Sequence, residues 1–169
     1  MQFPDARLLI FAKLPQPGRV NTRLVPLLGE QGASEFHARC LRQAIAERCA
    51  ARLAPVVVYI TPDQSHPLLD ELADRYSFEL RPQCGCDLGE RMLQAACDCL
   101  GEAGQVLLTG TDAPSLDVAQ LRGALDALRT VDAVMVPAED GGYVALGLTR
   151  AEPSLFDAID AGKPLRNLR

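Results

Sequence analysis

The chain has 169 residues, 48% of them hydrophobic and 23% charged, the profile of one soluble domain with a real core. A formal net charge of -5 argues against a general nucleic-acid or anionic-membrane binder, though one local cationic pocket for a small anion stays compatible with it. No segment reaches transmembrane length, and the N-terminal Met-Gln-Phe-Pro-Asp-Ala-Arg has no apolar signal region, so a cytoplasmic protein is expected.

The apolar run Leu8-Leu9-Ile10-Phe11 predicts a first buried strand. It leads into Phe11-Ala-Lys-Leu-Pro-Gln-Pro-Gly-Arg-Val-Asn-Thr-Arg-Leu24, a loop punctuated by proline and glycine. Lys13, Arg19 and Arg23 lie in it, and no acid occurs between Asp5 and Glu30. A strand ending in a cationic loop, with Gly18 permitting close backbone approach, is how an α/β protein seats phosphate groups. A solvated basic loop is the plainer alternative.

Residues 31–53 carry apolar positions at helical spacing, with Cys40 and Cys49 as small core residues beside Phe36, Leu41, Ile45 and Leu53. A second apolar run at 56–60, a short helix at 68–76 and a short strand at 77–80 follow. Cys86-Asp87-Leu88-Gly89-Glu90-Arg91-Met92 then opens a helix over 88–100. Asp87 is its N-cap candidate, Gly89 permits close backbone approach, and Arg91 stands one turn in, where a phosphate or base comes within reach. Alternatively Glu90 and Arg91 simply face solvent.

The run at 106–108 predicts a central strand followed by Gly110-Thr111-Asp112-Ala113-Pro114. A carboxylate at that strand end suits Mg²⁺ or Mn²⁺, which prefer oxygen ligands and bridge to substrate phosphates; an Asp before such a Pro turn is equally a turn residue. A helix over 117–128, capped by Ser115 or Asp117, and a strand over 133–136 come next. Glu139-Asp140-Gly141-Gly142 makes a turn before a last apolar strand at 143–148. Gly141 and Gly142 allow close approach to a donor or acceptor, and the paired acids suit a metal or sugar hydroxyls; a tight β-turn is compatible with both. Continuous apolar runs alternating with helices predict one domain, a three-layer α/β/α sandwich on a mostly parallel sheet.

Several chemistries are disfavoured. No Walker A sequence, no G-x-G-x-x-G after the first strand and no G-x-S-x-G elbow is present. His37, in the first long helix, and His66, beside Pro67, are expected to lie away from the strand ends, which argues against a histidine triad or zinc hydrolase. The pairs Cys84/Cys86 and Cys97/Cys99 have C-x-C spacing rather than the C-x-x-C of structural zinc.

Taken in order, Phe11-Ala-Lys-Leu-Pro-Gln-Pro-Gly-Arg-Val-Asn-Thr-Arg-Leu, Asp87-Leu-Gly-Glu-Arg-Met, Gly110-Thr-Asp-Ala-Pro and Pro137-Ala-Glu-Asp-Gly-Gly-Tyr resemble the glycosyltransferase-like proteins related to phospholactate guanylyltransferase. That family is also called the radical-SAM/selenodomain-associated transferases, and some members are labelled arsenosugar-biosynthesis glycosyltransferases. The resemblance runs to about Ile159. It implies a nucleotide-diphospho-sugar transferase (GT-A) fold, a Rossmann-like sheet that binds a nucleotide and a divalent metal. Asn21 stands where the family's loop usually has lysine, and losing that cation would weaken a buried phosphate contact by about 1–3 kcal/mol. The family usually continues beyond the segment starting at Asp157, so the end is read as shortened. Apolar surface near Tyr143 to Leu148 is then expected to be uncovered and buried by self-association.

The expected function is a metal-dependent transferase with a nucleotide-activated donor. Lys13, Gly18, Arg19, Arg23, Asp87, Gly89 and Arg91 are the candidates for the nucleotide and its phosphates. Asp112 is the metal ligand, and Asp140 binds hydroxyls or acts as a base. The donor is a nucleotide sugar, giving glycosyl transfer to a small-molecule acceptor, or a nucleoside triphosphate attacked by a phosphorylated small molecule. A non-catalytic nucleotide-binding protein is the remaining alternative.

Overall fold

Strand β1 (Ala6–Lys13) sends Leu8, Ile10 and Ala12 into one apolar cluster and Leu9 and Phe11 into another. Strand β2 (Val56–Thr61) does the same with Val56, Val58 and Ile60 against Val57 and Tyr59. Successive side chains of a strand point to opposite faces, so a run apolar at every position needs cover on both. The computed structural model describes residues 1–112, 116–138 and 142–156 and supplies that cover. Helices α1 (Val25–Ala51), α2 (Pro67–Ala73) and α4 (Val118–Ala127) pack on one face through Leu41, Ile45, Leu69, Leu72, Leu121 and Leu125. Helix α3 (Leu88–Leu100) packs on the other through Met92, Ala95, Ala96 and Cys99. The expected three-layer α/β/α sandwich is therefore the observed architecture.

With β3 (Glu79–Pro82), β4 (Gln105–Gly110), β5 (Ala133–Pro137) and β6 (Tyr143–Leu148), the strands form one sheet in the order β3-β2-β1-β4-β6-β5. The pairs β1/β2, β2/β3 and β1/β4 are parallel, whereas β6 is antiparallel to both β4 and β5. Strand β5 thus runs with β1 to β4, and β6 is the one reversed strand among those described. This topology places the carboxyl ends of β1, β4 and β5 and the start of β6 along one edge.

Local signals set the element ends. Asp87 caps α3 by accepting from Glu90 N at 2.8 Å. Asp117 caps α4 in a reciprocal box with Gln120. In α1 the chain kinks at Gly29, whose φ of 70° favours glycine, so the regular helix starts close to residue 31. Strand β3 lies two residues later than its apolar pattern suggests, because pairing with β2 fixes Val57 opposite Glu79. Cys40 and Cys49 are half-buried flank residues rather than full core members.

The expectation of uncovered apolar surface on β6 is corrected. Ala145, Leu146 and Leu148 are buried, and Phe156 joins Leu146 and Leu148 in the α3-side cluster. Self-association on that surface loses its basis. Exposed apolar side chains lie instead on α1, where Leu27 is 82% exposed, and on β5 at Met135. Residues from 157 onward are outside the described residues.

Candidate functional site at the carboxyl edge of the sheet

Strands β1 and β4 are neighbours with Phe11 opposite Gly110. Lys13 and Asp112, each two residues further on, therefore leave the sheet at the same edge. The loop after Lys13 is anchored at both ends by buried apolar side chains, Leu14 and Val20. Gly18 adopts φ 73°. Asn21 is also left-handed, at φ 47° and ψ 41°, and its carbonyl accepts from Leu24 N at 2.8 Å to start the 3-10 turn Thr22–Leu24. Asparagine tolerates this conformation better than most residues, which gives position 21 a backbone role beyond its missing charge. Lys13, Arg19 and Arg23 are exposed, and among the described residues their side chains make no hydrogen bond or ion pair. The loop is not free of acid in space, however. The Glu30 side chain folds back so closely that a Cβ on Gly18 would lie 3.2 Å from its carboxyl group.

His37 corrects the expectation that neither histidine lies near the strand ends. On α1 it is buried, with its Nε2 2.9 Å from the Lys13 carbonyl and its Nδ1 4.0 Å from Asp112 Oδ1. A carbonyl only accepts, so Nε2 carries the hydrogen. One imidazole is thus bonded to the start of the cationic loop and lies 4.0 Å from the candidate metal ligand. Asp112 is open to solvent, its side chain 61% exposed, with the Thr111 hydroxyl donating to Oδ1 at 3.3 Å. Cys40, one turn beyond His37, has its thiol pushed up, first by burial and then by the Asp112 carboxylate.

Further along α1, the Arg48 guanidinium is buried beneath the end of β4. It donates through Nε to Thr109 Oγ1 (3.3 Å), through Nη1 to the Ala44 carbonyl (3.2 Å) and through Nη2 to the Gly110 carbonyl (3.4 Å). Thr109 in turn donates to the Leu9 carbonyl at 3.0 Å, tying α1, β4 and β1 together. These partners are all neutral oxygens, and burial pulls the guanidinium below its usual range. Residues 33, 37, 41, 44 and 48 share one buried stripe of α1. A histidine and an arginine on an apolar helical stripe were the sequence signal for both residues.

The segment before α3 serves structure more than expected. Asp87 spends one carboxylate oxygen on the cap, and Glu90 Oε2 accepts from Cys86 N at 2.8 Å. Arg91 donates to the Gly85 carbonyl at 3.0 Å, holding the loop rather than reaching outward. The close approach at Gly89 is made by the chain itself, since a Cβ there would lie 2.6 Å from the Phe156 carbonyl oxygen. The Gln83 side chain, unforeseen, donates to the carbonyls of Ala12 (2.9 Å) and Tyr59 (3.0 Å), stitching the carboxyl ends of β1 and β2. Asp140 and Gly141 lie outside the described residues. Their flanks meet at the same edge: Ala138 N donates to the Gly142 carbonyl at 2.9 Å, and Pro137 pairs with Tyr143.

The sheet order and the strand-end site define a fold of the nucleotide-diphospho-sugar transferase type. The chain belongs to the family described as "Uncharacterized protein conserved in bacteria (DUF2064)", whose model matches residues 41–163. A crystal structure from Desulfovibrio desulfuricans, provisionally named a nucleotide-diphospho-sugar transferase, is 28% identical, with a TM-score of 0.82 over 95% of this chain and 71% of that one. A cytidylyltransferase from Leptospira borgpetersenii is 17% identical, with a TM-score of 0.59 over 96% of this chain and 66% of that one. The 4-diphosphocytidyl-2C-methyl-D-erythritol synthase from Anaerococcus prevotii is 11% identical, with a TM-score of 0.54 over 90% and 73%. The latter two share the fold alone. No curated protein matches the chain in sequence. No helix among the described residues is long and apolar enough to cross a membrane.

Proposed function

We propose that this protein is a transferase that takes a nucleotide-activated donor, seats its phosphates on the loop after β1 and holds a divalent cation at Asp112. The observation that carries the reading is the convergence of the Lys13 backbone carbonyl and the Asp112 carboxylate on one buried imidazole at the carboxyl edge of adjacent parallel strands. Open α/β sheets bind ligands at that edge. Lys13, Arg19 and Arg23 are the groups for the phosphates, since no described partner neutralises them. Asn21 Nδ2 is buried without a hydrogen-bond partner among the described residues, and a phosphate oxygen would be an acceptor for it.

The residues fit a hard cation. Asp112 offers an exposed carboxylate, and Mg²⁺ or Mn²⁺ is ordinarily held by one or two carboxylates together with substrate phosphates. When bound there, the ion supplies neutralisation of the charge that builds on the leaving phosphate. The protein's own part is to orient: the Gln83 and Arg48 hydrogen bonds fix the strand ends from which the loop and Asp112 depart. Asp140 is the candidate for hydroxyl binding or base catalysis, on the strength of its place between β5 and β6.

Glycosyl transfer from a nucleotide sugar to a small-molecule acceptor is the leading reaction, supported by the name of the 28%-identical relative. Nucleotidyl transfer to a phosphorylated small molecule is the second, favoured by three cations, unpaired among the described residues, that suit a triphosphate. Thermal-shift titration with nucleotides, with and without Mg²⁺ or Mn²⁺, followed by product analysis tests both. Nucleoside diphosphate release marks the first and pyrophosphate the second. A panel that gives no metal-dependent stabilisation overturns the proposal, and stabilisation without turnover leaves a binding protein.

A further inference from the structure

We propose that His37 and Asp112 act together as a nitrogen–oxygen metal-binding pair, so that the site selects a transition ion such as Mn²⁺ over Mg²⁺. This rests on the reading of Asp112 as a metal ligand.

The argument starts from hydrogen-bond accounting. His37 is about 95% buried, and its Nδ1 has no hydrogen-bond partner among the described residues. Buried polar atoms are ordinarily satisfied, so an orphan at a site edge calls for a missing ligand. The other ring nitrogen is fixed: Nε2 gives its hydrogen to the Lys13 carbonyl at 2.9 Å. In the Nε2–H tautomer the ring presents a lone pair at Nδ1. Metal-binding histidines are oriented in just this manner, the non-ligating N–H going to a carbonyl or carboxylate.

The lone pair faces a carboxylate. Asp112 Oδ1 is 4.0 Å away, whereas two adjacent ligands about 2.1 Å from one six-coordinate ion lie about 3.0 Å apart. The exposed Asp112 side chain closes that gap by a rotamer adjustment, while the buried ring stays still. The donor set then decides the ion. Oxygen ligands suit Mg²⁺, but an added imidazole favours first-row transition ions.

The test uses the full chain and the metal alone. Mn²⁺ binding is followed by EPR, Mg²⁺ by competition, and imidazole coordination by the ¹⁴N modulation of the bound Mn²⁺ signal. His37→Gln keeps an amide N–H for the Lys13 carbonyl and removes the Nδ1 lone pair. The parent should show directly coupled ¹⁴N. The variant should lose that coupling and bind Mn²⁺ about tenfold more weakly, with Mg²⁺ affinity changed less than twofold. Bound Mn²⁺ without ¹⁴N coupling in the parent overturns the pair while leaving Asp112 as a ligand, as does a His37→Gln protein of unchanged Mn²⁺ affinity. Asp112→Asn separates the two ideas: if it binds Mn²⁺ like the parent, the reading of Asp112 fails and the pair with it.

Discussion

A Cβ placed on Gly89 would sit 2.6 Å from the carbonyl oxygen of Phe156, so the first turn of α3 and the end of the 3-10 turn Pro153–Leu155, which Phe156 caps, are in direct backbone contact. Gly89→Ala should then cost about 1–3 kcal/mol of stability through overpacking, because the obstacle is backbone rather than a flexible side chain. Nucleotide affinity measured well below the melting range should hold near the parent's. If Gly89 instead faced a ligand, the alanine would weaken binding and leave the melting temperature in place.

Arg23 is exposed, and its side chain makes no hydrogen bond or ion pair among the described residues. Arg23→Ala should lower nucleotide affinity about tenfold, the scale of one charged hydrogen bond, with almost no change in melting temperature. Calorimetric titration reads the first and a thermal scan the second. An affinity equal to the parent's would show that the cation only solubilises the loop.

Asp112→Asn should remove the metal-dependent part of nucleotide binding and leave the fold untouched, since the side chain is solvent-exposed. Mn²⁺ titrations of variant and parent that superimpose would return Asp112 to the status of a turn residue.

Arg48 holds three oxygens at once in a fork that an ammonium cannot copy. Arg48→Lys should lose about 1–3 kcal/mol in urea unfolding, as buried carbonyls lose their donor. A midpoint within error of the parent's would mean that lysine or water restores those bonds.

Burial pushes the Cys49 thiol up to about 11, from an ordinary value of 9.0. At pH 8 it should be alkylated far more slowly than exposed Cys84, Cys86 and Cys97. The stability sign follows from proton counting. Between pH 9 and 11 the unfolded chain has released this proton and the folded one has kept it, so stability falls as pH rises through that window. Peptide mapping after timed alkylation checks the reactivity, and Cys49→Ala should flatten the alkaline loss.

The layers and the strand-end edge were legible because apolar runs and helical stripes alternate without interruption, and because Lys13 and Asp112 each follow a strand that pairs with the other. His37 was not. Its sequence neighbours place it in a helix, but only the packing of α1 across β1 and β4 brings it to Lys13 and Asp112, residues 24 and 75 positions away in the chain. The neighbour of Gly89 was hidden for a related reason: a glycine opening a helix reads as room for a ligand, and the group that approaches it in the structure comes from Phe156, far along the chain. The reversal of β6 also had no local signature, since a buried strand reads the same in either direction.

That reversal has a consequence for assembly. Among the described strands, the one sheet neighbour of β5 is β6, and β6 follows it in the chain. The four strands β3-β2-β1-β4 are all in the chain once Gly110 has been made, whereas β5 gains its described ladder only when Tyr143–Leu148 lies between it and β4. The topology therefore suits entry of the last two described strands as one unit, an antiparallel pair added to the half-sheet β3-β2-β1-β4.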